Sequence, residues 1–307
     1  MRLRTYFVAG ATGKQGGAVA RQLLARGHRV RIYTRSPGGP QARLLQRLGA
    51  ELHAGGFDDA GPLERALRGC DGAFGMSAFA EAGVEAEVRQ GRCLVDAAKR
   101  AGLPHLIFSS MAGTDRPTGV AHMDSKFQIE RHLAHAGIPY TILAPVFLME
   151  NWLAILPGAA ARGTLRYPLP APRTLQMVAV DDLAAFARMA LERTTEFENR
   201  RVEIAGEALP MERIAEVLGA AVRRELRYQA VPLEAVWARS EELGRLCAWL
   251  DWEGTHVDVE RLRTRYRDLG WTSLAAWARR QDWGKLLDPT AGETTTPAGR
   301  AWALGAR

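Results

Sequence analysis

The stretch Gly10-Ala11-Thr12-Gly13-Lys14-Gln15-Gly16-Gly17 decides the fold of this chain, because it joins an apolar run to a helical pattern. Tyr6-Phe7-Val8-Ala9 comes directly before it, and the amphipathic segment from Ala18 to Arg26 follows it. A strand that turns sharply into a helix leaves the first backbone N–H groups of the helix unpaired, with the positive end of the helix dipole behind them. Paired phosphates bind at such a turn.

Glycine recurs at every third position of this loop. Gly10 permits the tight turn, Gly13 lets the backbone approach a pyrophosphate, and Gly16 lets the helix pack closely on the strand. An ordinary glycine-rich turn is the alternative interpretation of the spacing. The position between an apolar strand and an amphipathic helix favours a dinucleotide site. The candidate contacts in the loop are Gly10, Thr12, Gly13, Lys14, Gln15 and Gly16.

Length and composition predict a folded protein that can bury a large core, since 47% of the 307 residues are hydrophobic. Residues 1 to 20 have no signal-peptide pattern, and no apolar run has the length of a membrane span, so we expect a cytoplasmic protein. Cys70, Cys93 and Cys247 form no Cys-x-x-Cys pair. We therefore expect no metal or redox site at these thiols.

The net charge of +7 raises the question of a nucleic-acid partner. The densest basic run contains Arg261, Arg263, Arg265 and Arg267. Charges spaced two residues apart on a helix point around the cylinder instead of lining one face. This pattern indicates a solvated helix, and no nucleic-acid-binding motif accompanies it.

From residue 1 to about 145, short apolar runs alternate with helical patterns, which predicts an α/β fold with a Rossmann doubly wound parallel sheet. The predicted strands are Thr5 to Ala9, Arg29 to Thr34, Glu51 to Ala54, Gly72 to Met76, Leu106 to Ser109 and Tyr140 to Leu143. Glycine closes the helical stretch before each later strand, as expected where a helix ends in a left-handed residue. These glycines are Gly27, Gly49, Gly69, Gly102 and Gly137.

The domain prediction places a nucleotide-binding Rossmann domain over residues 1–155 and a smaller, mostly helical α/β lobe that forms the cleft over 156–287. A strand at 176–180 and a helix at 181–192 are expected to return to the first domain. Pro157 to Arg173 is predicted to be a mobile segment, because it is rich in Pro, Gly and Ala. Six tryptophans are expected to pack the lobe, and residues 288–307 have the composition of a disordered tail.

The end of the second strand indicates which nucleotide is preferred. Dinucleotide folds that bind NAD place a carboxylate there for the ribose 2′-OH, whereas NADP needs a cation for its 2′-phosphate. Here the sequence has Arg35 and Ser36, with Lys14 as a further cation, which favours NADP(H) over NAD(H). A surface arginine is the alternative. After the third strand, Asp58 and Asp59 are candidates for the adenine amino group, although Asp59 fits equally as a helix cap.

The fifth strand ends in Ser109-Ser110, and a helix follows with His122 and Lys126 four residues apart on one face. Ligands of open α/β folds bind at this edge of the sheet, so His122 and Lys126 form a candidate site close to the two serines. The alternative for Lys126 is a solvated pair with Glu130. After the sixth strand, Pro145 and Phe147 could wall the nicotinamide ring, although an apolar stripe is also typical of a core.

Taken together, the glycine loop, Arg35, His122-x-x-x-Lys126 and Phe147-Leu148-Met149-Glu150-Asn151 resemble the NmrA-like family of atypical short-chain dehydrogenases, over roughly Thr5 to Trp283. In that superfamily a Ser, a Tyr and a Lys act together, the Lys lowering the pKa of the Tyr and holding the nicotinamide ribose. His122 occupies the position of the tyrosine, so the resemblance implies that Lys126, His122, Ser110 and Ser109 are the catalytic residues.

The resemblance implies one of two functions. The first is an NADP(H)-binding redox sensor that acts on a regulatory protein partner, as the fungal nitrogen regulator and animal NADPH sensors do. The second is an NADPH-dependent reductase of a quinone, enone or similar carbonyl substrate that uses Lys126 without the tyrosine. A histidine can donate a proton near neutral pH, so the loss of tyrosine is compatible with both functions.

Overall fold

The computed structural model describes residues 2–77 and 79–287, and the predicted tail at 288–307 lies outside this part of the chain. The strands are β1 (Thr5–Ala9), β2 (Arg29–Thr34), β3 (Glu51–Ala54), β4 (Gly72–Met76), β5 (Leu106–Ser109), β6 (Tyr140–Pro145), β7 (Phe147–Leu148), β8 (Thr164–Tyr167), β9 (Thr174–Val178), β10 (Arg200–Ile204), β11 (Glu207–Pro210) and β12 (Arg227–Ala230).

Helices connect these strands and make up most of the C-terminal part. They are α1 (Lys14–Ala25), α2 (Pro40–Arg47), α3 (Ala60–Leu67), α4 (Phe79–Arg100), α5 (Ala121–His135), α6 (Trp152–Arg162), α7 (Val180–Glu192), α8 (Thr194–Phe197), α9 (Met211–Val222), α10 (Leu233–Trp237), α11 (Glu241–Trp252), α12 (Val259–Arg265), α13 (Leu274–Arg279) and α14 (Trp283–Leu286). Non-helical backbone at Gly83 (φ 81°) interrupts α4.

The chain forms two compact units. The first unit comprises Met1–Pro117, His122–Pro145 and Val180–Glu203, and the second comprises Thr118–Ala121, Val146–Ala179 and the residues from Ile204 onward. Helix 181–192 of the domain prediction corresponds to α7, which belongs to the first unit.

A seven-stranded sheet with the order β10-β6-β5-β4-β1-β2-β3 organises the first unit. The pairs from β6 across to β3 are parallel. Because β1 lies between β4 and β2, the strand order reverses there, and the crevice where ligands of such sheets bind opens at its carboxyl end. The sequence-based prediction of a doubly wound parallel sheet is confirmed.

Both faces of this sheet are covered, as an all-parallel sheet requires. Successive residues of β1 point to opposite faces. Phe7 and Ala9 belong to a core cluster with residues of α3, α4 and α5. On the other face, the Tyr6 hydroxyl donates to the Leu191 carbonyl of α7 at 3.1 Å, and α7 packs against α1.

The strand predictions were accurate in this unit, since five of the six have the predicted bounds and β6 extends two residues further. The five predicted helix stops all have positive φ, between 64° and 100°. Local apolar runs, and the glycines that end the helices, therefore suffice to define these elements.

The second unit differs from its predicted form in two places. The strand expected at 176–180 is β9, which pairs with β7 and β11 in a three-stranded sheet instead of returning to the large one. The segment expected to be mobile contains the end of α6 and β8, which pairs with β12. Pro157 lies inside α6, a helix that is stabilised by packing, since its Trp152 and Leu156 side chains are fully buried.

Aromatic side chains fill the core of the second unit. Trp152 and Tyr167 lie at its centre with ring centroids 5.6 Å apart, and Trp277 packs edge to face on Trp283 at 6.1 Å. The expectation that the tryptophans pack together is wrong for Trp252, which is 82% exposed at the end of α11.

Candidate nucleotide site

The glycine loop forms a sharp turn between β1 and α1. Gly10 has φ +61°, and the backbone N–H of Gly13 donates to the Gly10 carbonyl at 2.9 Å. Gly13 is the N-cap of α1 without any side-chain cap, and the first turn, described in full, carries no acidic residue. Its N–H groups and the positive end of the helix dipole are therefore suited to an anion.

Close packing explains the glycine at position 16. A Cβ atom there would lie 2.4 Å from the Ala9 carbonyl oxygen and 2.5 Å from that of Gly10. Real Cβ atoms do not approach backbone oxygens so closely, so a larger residue would push α1 away from β1. The glycine spacing therefore fixes how the helix N-terminus is aimed at the edge of the sheet.

A cleft of about 290 Å³ lies beside this loop. Its lining joins the glycine loop to the end of β2, so the structure brings the predicted phosphate-binding loop and the predicted selector arginine together. The lining residues are Gly10, Thr12, Gly13, Tyr33, Thr34, Arg35, Ser36, Gly55, Gly56, Phe57, Met76 and Gln90.

The far wall of the cleft depends on Tyr33. Its hydroxyl donates to the Gly56 carbonyl at 3.1 Å, and its ring packs on Phe57 with centroids 6.2 Å apart. A Cβ atom on Gly55 would lie 2.0 Å from the Tyr33 hydroxyl oxygen, so only glycine fits there. This wall was not predicted, although the Gly55-Gly56 pair after β3 is a sequence signal for close backbone approach.

The two aspartates after β3 have protein partners. Asp59 caps α3, its Oδ1 accepting from the Gly61 N–H at 3.0 Å, as the alternative interpretation held. Asp58 Oδ2 accepts from Gln90 Nε2 at 3.1 Å, and its Oδ1 lies 3.7 Å from Arg89. Their role at an adenine ring stays a prediction.

Glu87 and Ser77, which were not among the predicted site residues, hold the ammonium group of Lys126. Its Nζ donates to Glu87 Oε1 at 2.8 Å, to the Ser77 carbonyl at 2.9 Å and to Ser77 Oγ at 2.9 Å. Glu87 is fully buried, and it also accepts from Ser77 Oγ and Ser125 Oγ. The interpretation of Lys126 as a solvated partner of Glu130 is therefore wrong, because α5 turns the lysine inward toward α4 and the end of β4.

The NmrA-like family model matches residues 4–275, which is well over half of the chain. The chain belongs to the NmrA-like family. The resemblance inferred from the motifs is confirmed.

Several curated relatives of this NmrA-like protein are oxidoreductases. The NmrA-like family domain-containing oxidoreductase FrzB of Cladobotryum sp. is 37% identical over 160 residues, which is 48% of this chain and 47% of FrzB, so the match spans about half of that protein. The NAD(P)H azoreductase of Xenophilus azovorans is 30% identical over 235 residues, which is 74% of this chain and 77% of the azoreductase.

Solved structures share the fold at lower identity. NmrA, a negative transcriptional regulator crystallised with NAD, is 21% identical, with a TM-score of 0.76 over 91% of this chain and 95% of NmrA. Another NmrA crystal contains NADP. The Escherichia coli quinone oxidoreductase QOR2, crystallised with NADPH, is 23% identical, with a TM-score of 0.76 over 89% of this chain and 98% of QOR2.

The two serines after β5 of this NmrA-like protein have different partners. Ser109 Oγ donates to Gln15 Oε1 at 2.7 Å, which ties the end of β5 to the first turn of α1. Ser110 Oγ instead contacts Glu130 and lies 3.1 Å from Thr114 Oγ1. The predicted catalytic pair is thus divided between the glycine-loop helix and a buried carboxylate.

Glu130 belongs to a second buried charge cluster. Its Oε2 lies 3.0 Å from Arg201 Nε, and Arg201 Nη1 lies 2.8 Å from Glu203 Oε1. Burial opposes the charge on Arg201, but the two carboxylates outweigh burial and raise the pKa of the guanidinium. This arginine joins β10 to α5 in the first unit.

The remaining candidates are placed as follows. His122 lies at the second position of α5, where its carbonyl accepts from Ser125 Oγ at 2.9 Å. The Pro145 carbonyl accepts from the Ala112 N–H at 3.0 Å. Phe147 lies in the second unit, packed on Trp152 with ring centroids 5.2 Å apart. The catalytic role of His122 and the contacts of Pro145 and Phe147 with a nicotinamide ring stay predictions.

Cys70 and Cys247 are free and buried. Burial raises the pKa of Cys70 to about 11 and that of Cys247 to about 12, so both are poor nucleophiles. Over residues 2–77 and 79–287, the side chains form no cluster suited to a metal ion. Within the same ranges, no helix has both the length and the apolar character of a bilayer span.

Proposed function

We propose that this protein binds NADP(H) in the cleft of the first unit. The supporting observation is that one cleft is lined by Gly10, Thr12 and Gly13 of the phosphate-binding loop and by Arg35 and Ser36 after β2. A diphosphate would lie against the uncapped N-terminus of α1. Such a site needs helix and strand in close contact, which the glycine at position 16 allows.

Preference for NADP(H) over NAD(H) rests on the end of β2. The residues after Tyr33 are Thr34, Arg35 and Ser36, so the position where NAD-binding folds carry a ribose-binding carboxylate has a cation and a hydroxyl. Arg35 would bind the 2′-phosphate through its planar fork of donors, and Lys14 adds positive charge at the start of α1.

As the reaction, we propose reduction of a small electrophile such as a quinone, an azo compound or an enone. The azoreductase that is 30% identical over three quarters of this chain supports this proposal. Bound NADPH would supply the hydride. Lys126 of α5, whose Nζ reaches Ser77 after β4 and whose side chain is 13% exposed, would donate a proton to the reduced substrate and regain one from solvent.

A redox sensor is the second candidate, and a specific observation favours it. His122 occupies the position of the tyrosine that serves as the general acid in the superfamily. In addition, the Lys126 ammonium group already makes three contacts with protein acceptors. A protein that bound NADP(H) without turnover would pass the redox state to a regulatory protein partner.

Calorimetry with NADPH, NADP and NAD, followed by addition of quinones, azo dyes and enones to the NADPH complex, tests these proposals on one sample. We expect tighter binding of NADP(H) than of NAD(H), and NADPH oxidation at about 1 s⁻¹ or faster for a substrate. Tight binding of NADPH without any oxidation would exclude the reductase and favour the redox sensor. Binding of none of the nucleotides would refute both.

Two lysine variants add a matched control. Lys126→Met should lower kcat by about 10²-fold, the usual contribution of a positioned proton donor. Lys99→Met removes the same charge from the exposed end of α4 and should leave kcat unchanged.

A further inference from the structure

All three N–H donors of the Lys126 ammonium group already have acceptors within the protein. An ammonium group has three N–H donors. In the described part of the chain they meet three acceptors, namely Glu87 Oε1, the Ser77 carbonyl and Ser77 Oγ, at 2.8 to 2.9 Å. A ligand that needs a hydrogen bond from Lys126 must therefore take the place of one of these acceptors.

The three acceptors differ in strength and in freedom to move. Glu87 is an anion with no exposure to water, and a hydrogen bond between two charged groups is roughly twice as strong as a neutral one. The Ser77 carbonyl is fixed by the backbone directly after β4. Ser77 Oγ is neutral, and since its own proton goes to Glu87 at 3.1 Å, it loses only an accepted bond when Lys126 turns away.

The position of this cluster links it to one half of a dinucleotide. Met76 at the end of β4 lines the cleft, and Ser77 follows it. Arg35 lies at the end of β2, on the opposite side of β1 in the strand order. A dinucleotide that crosses the sheet at the reversal point and has its 2′-phosphate on Arg35 therefore has its nicotinamide half on the β4 side.

We propose that Glu87 is a positioning residue, which holds Lys126 Nζ for the nicotinamide ribose, and that Ser77 Oγ is the contact that the nucleotide replaces. This inference rests on the proposed binding of NADP(H). Glu87 keeps the ammonium group fixed by its charge, while the Ser77 hydroxyl occupies the third donor until a ribose hydroxyl arrives. Ser125 Oγ, from the helix that carries Lys126, fixes the other carboxylate oxygen.

The test compares two ligands by calorimetry. NADPH carries both halves of the dinucleotide, whereas adenosine 2′,5′-bisphosphate lacks the nicotinamide riboside and reports only the Arg35 side. Glu87→Gln should weaken NADPH binding by about tenfold and leave bisphosphate binding within about twofold. Glu85→Gln, an exposed position on the same helix, should change neither.

Two further variants distinguish positioning from a merely structural role. If Glu87 acts through Lys126, Glu87→Gln combined with Lys126→Met should bind NADPH no more weakly than Lys126→Met alone, because coupled residues are not additive. Ser77→Ala should keep NADPH affinity within about twofold of the wild type or strengthen it, since the ligand would otherwise displace that hydroxyl.

The outcomes separate this inference from the proposed function. Equal loss of both ligands in Glu87→Gln, or an unchanged NADPH affinity, would overturn the role of Glu87 while nucleotide binding stands. If the wild type binds neither ligand, the proposed function fails, and the inference fails with it. Should Glu87→Gln not fold, Glu87→Asp, which keeps the charge but withdraws the carboxylate, must weaken NADPH selectively or the inference is refuted.

Discussion

Two buried carboxylates of the first unit, Glu87 and Glu130, have the same kinds of partner. Each contacts two side-chain hydroxyl groups and one cation, and their exposures are 0% and 5%. The cations differ, because Glu87 pairs with Lys126 and Glu130 with Arg201. This difference supports the proposal that ligand binding involves the Glu87 cluster and not the Glu130 cluster.

Arg201 has a planar fork of donors that is already used by structural partners. It contacts Glu130, Glu203 and the Met111 carbonyl, the last at 2.9 Å, and so fixes β10, α5 and the loop after β5 relative to one another. A lysine has three donors on a flexible stem and can exchange one contact for another. Burial alone therefore does not distinguish a functional charge from a structural one.

The largest expected effect comes from Arg201→Met. It leaves Glu130 buried without its cation, which should lower the free energy of unfolding by about 3–5 kcal/mol. The affinity of the folded protein for NADPH should not change, because Arg201 belongs to the structural cluster. Urea denaturation and calorimetry measure the two quantities.

Arg200→Met is the matched control for this variant, since Arg200 is the exposed neighbour on the same strand. Its free energy of unfolding should stay within about 0.5 kcal/mol of the wild type. A similar small loss for Arg201→Met would remove the distinction drawn between the two clusters.

A buried histidine must be separated from the two carboxylates in any acid titration. Burial lowers the pKa of His105 to about 4, and its Nε2 lies 2.8 Å from Thr141 Oγ1. Thr141 Oγ1 donates its proton to the Phe197 carbonyl, so His105 Nε2 is the donor to Thr141. The imidazole is therefore neutral in the folded protein near pH 7.

Because the unfolded histidine titrates near 6.5, the unfolded state binds the proton first as the pH falls. The stability that His105 contributes is complete above pH 6.5 and is lost between 6.5 and about 4, by about 3 kcal/mol. Denaturation across this range should show the loss in the wild type and in the exposed control His135→Gln, and not in His105→Gln. A loss that persists in His105→Gln would point to the carboxylates.

Arg35→Ala should have the opposite signature to Arg201→Met. Loss of a charge-assisted hydrogen bond should weaken NADP(H) binding by about 1.5–3 kcal/mol and NAD(H) binding much less, with the free energy of unfolding nearly unchanged. Arg47→Ala on the exposed face of α2 is the control. Equal losses for both nucleotides in calorimetry would remove Arg35 from the phosphate site.

The smallest effect is expected from Ser110→Ala. Glu130 loses one hydroxyl donor but keeps Thr114 at 2.8 Å and Arg201, so the free energy of unfolding should fall by about 1 kcal/mol. The rate of NADPH oxidation should be unchanged if Ser110 is structural. A selective fall in kcat at unchanged stability would return Ser110 to the catalytic residues.

Local sequence predicted much of the fold and the two segments that line the cleft beside α1. Gly10, Gly13 and Gly16 define the turn that leads from an apolar strand into the helix beginning at Lys14. The steric constraint on each glycine comes from residues that are close to it in the chain. The same holds for the glycines that end the helices and for the strands between them. The position of Arg35 at the cleft was predictable because it directly follows β2.

The pairing of the charges was decided only by the tertiary structure. Lys126 pairs with Glu87, which is 39 positions earlier in the chain, and Glu130 pairs with Arg201, which is 71 positions later. At helical spacing Lys126 and Glu130 looked like partners of each other, and β9 looked like a strand of the large sheet. Local periodicity shows which face of an element is buried, but only packing determines which distant residue meets it.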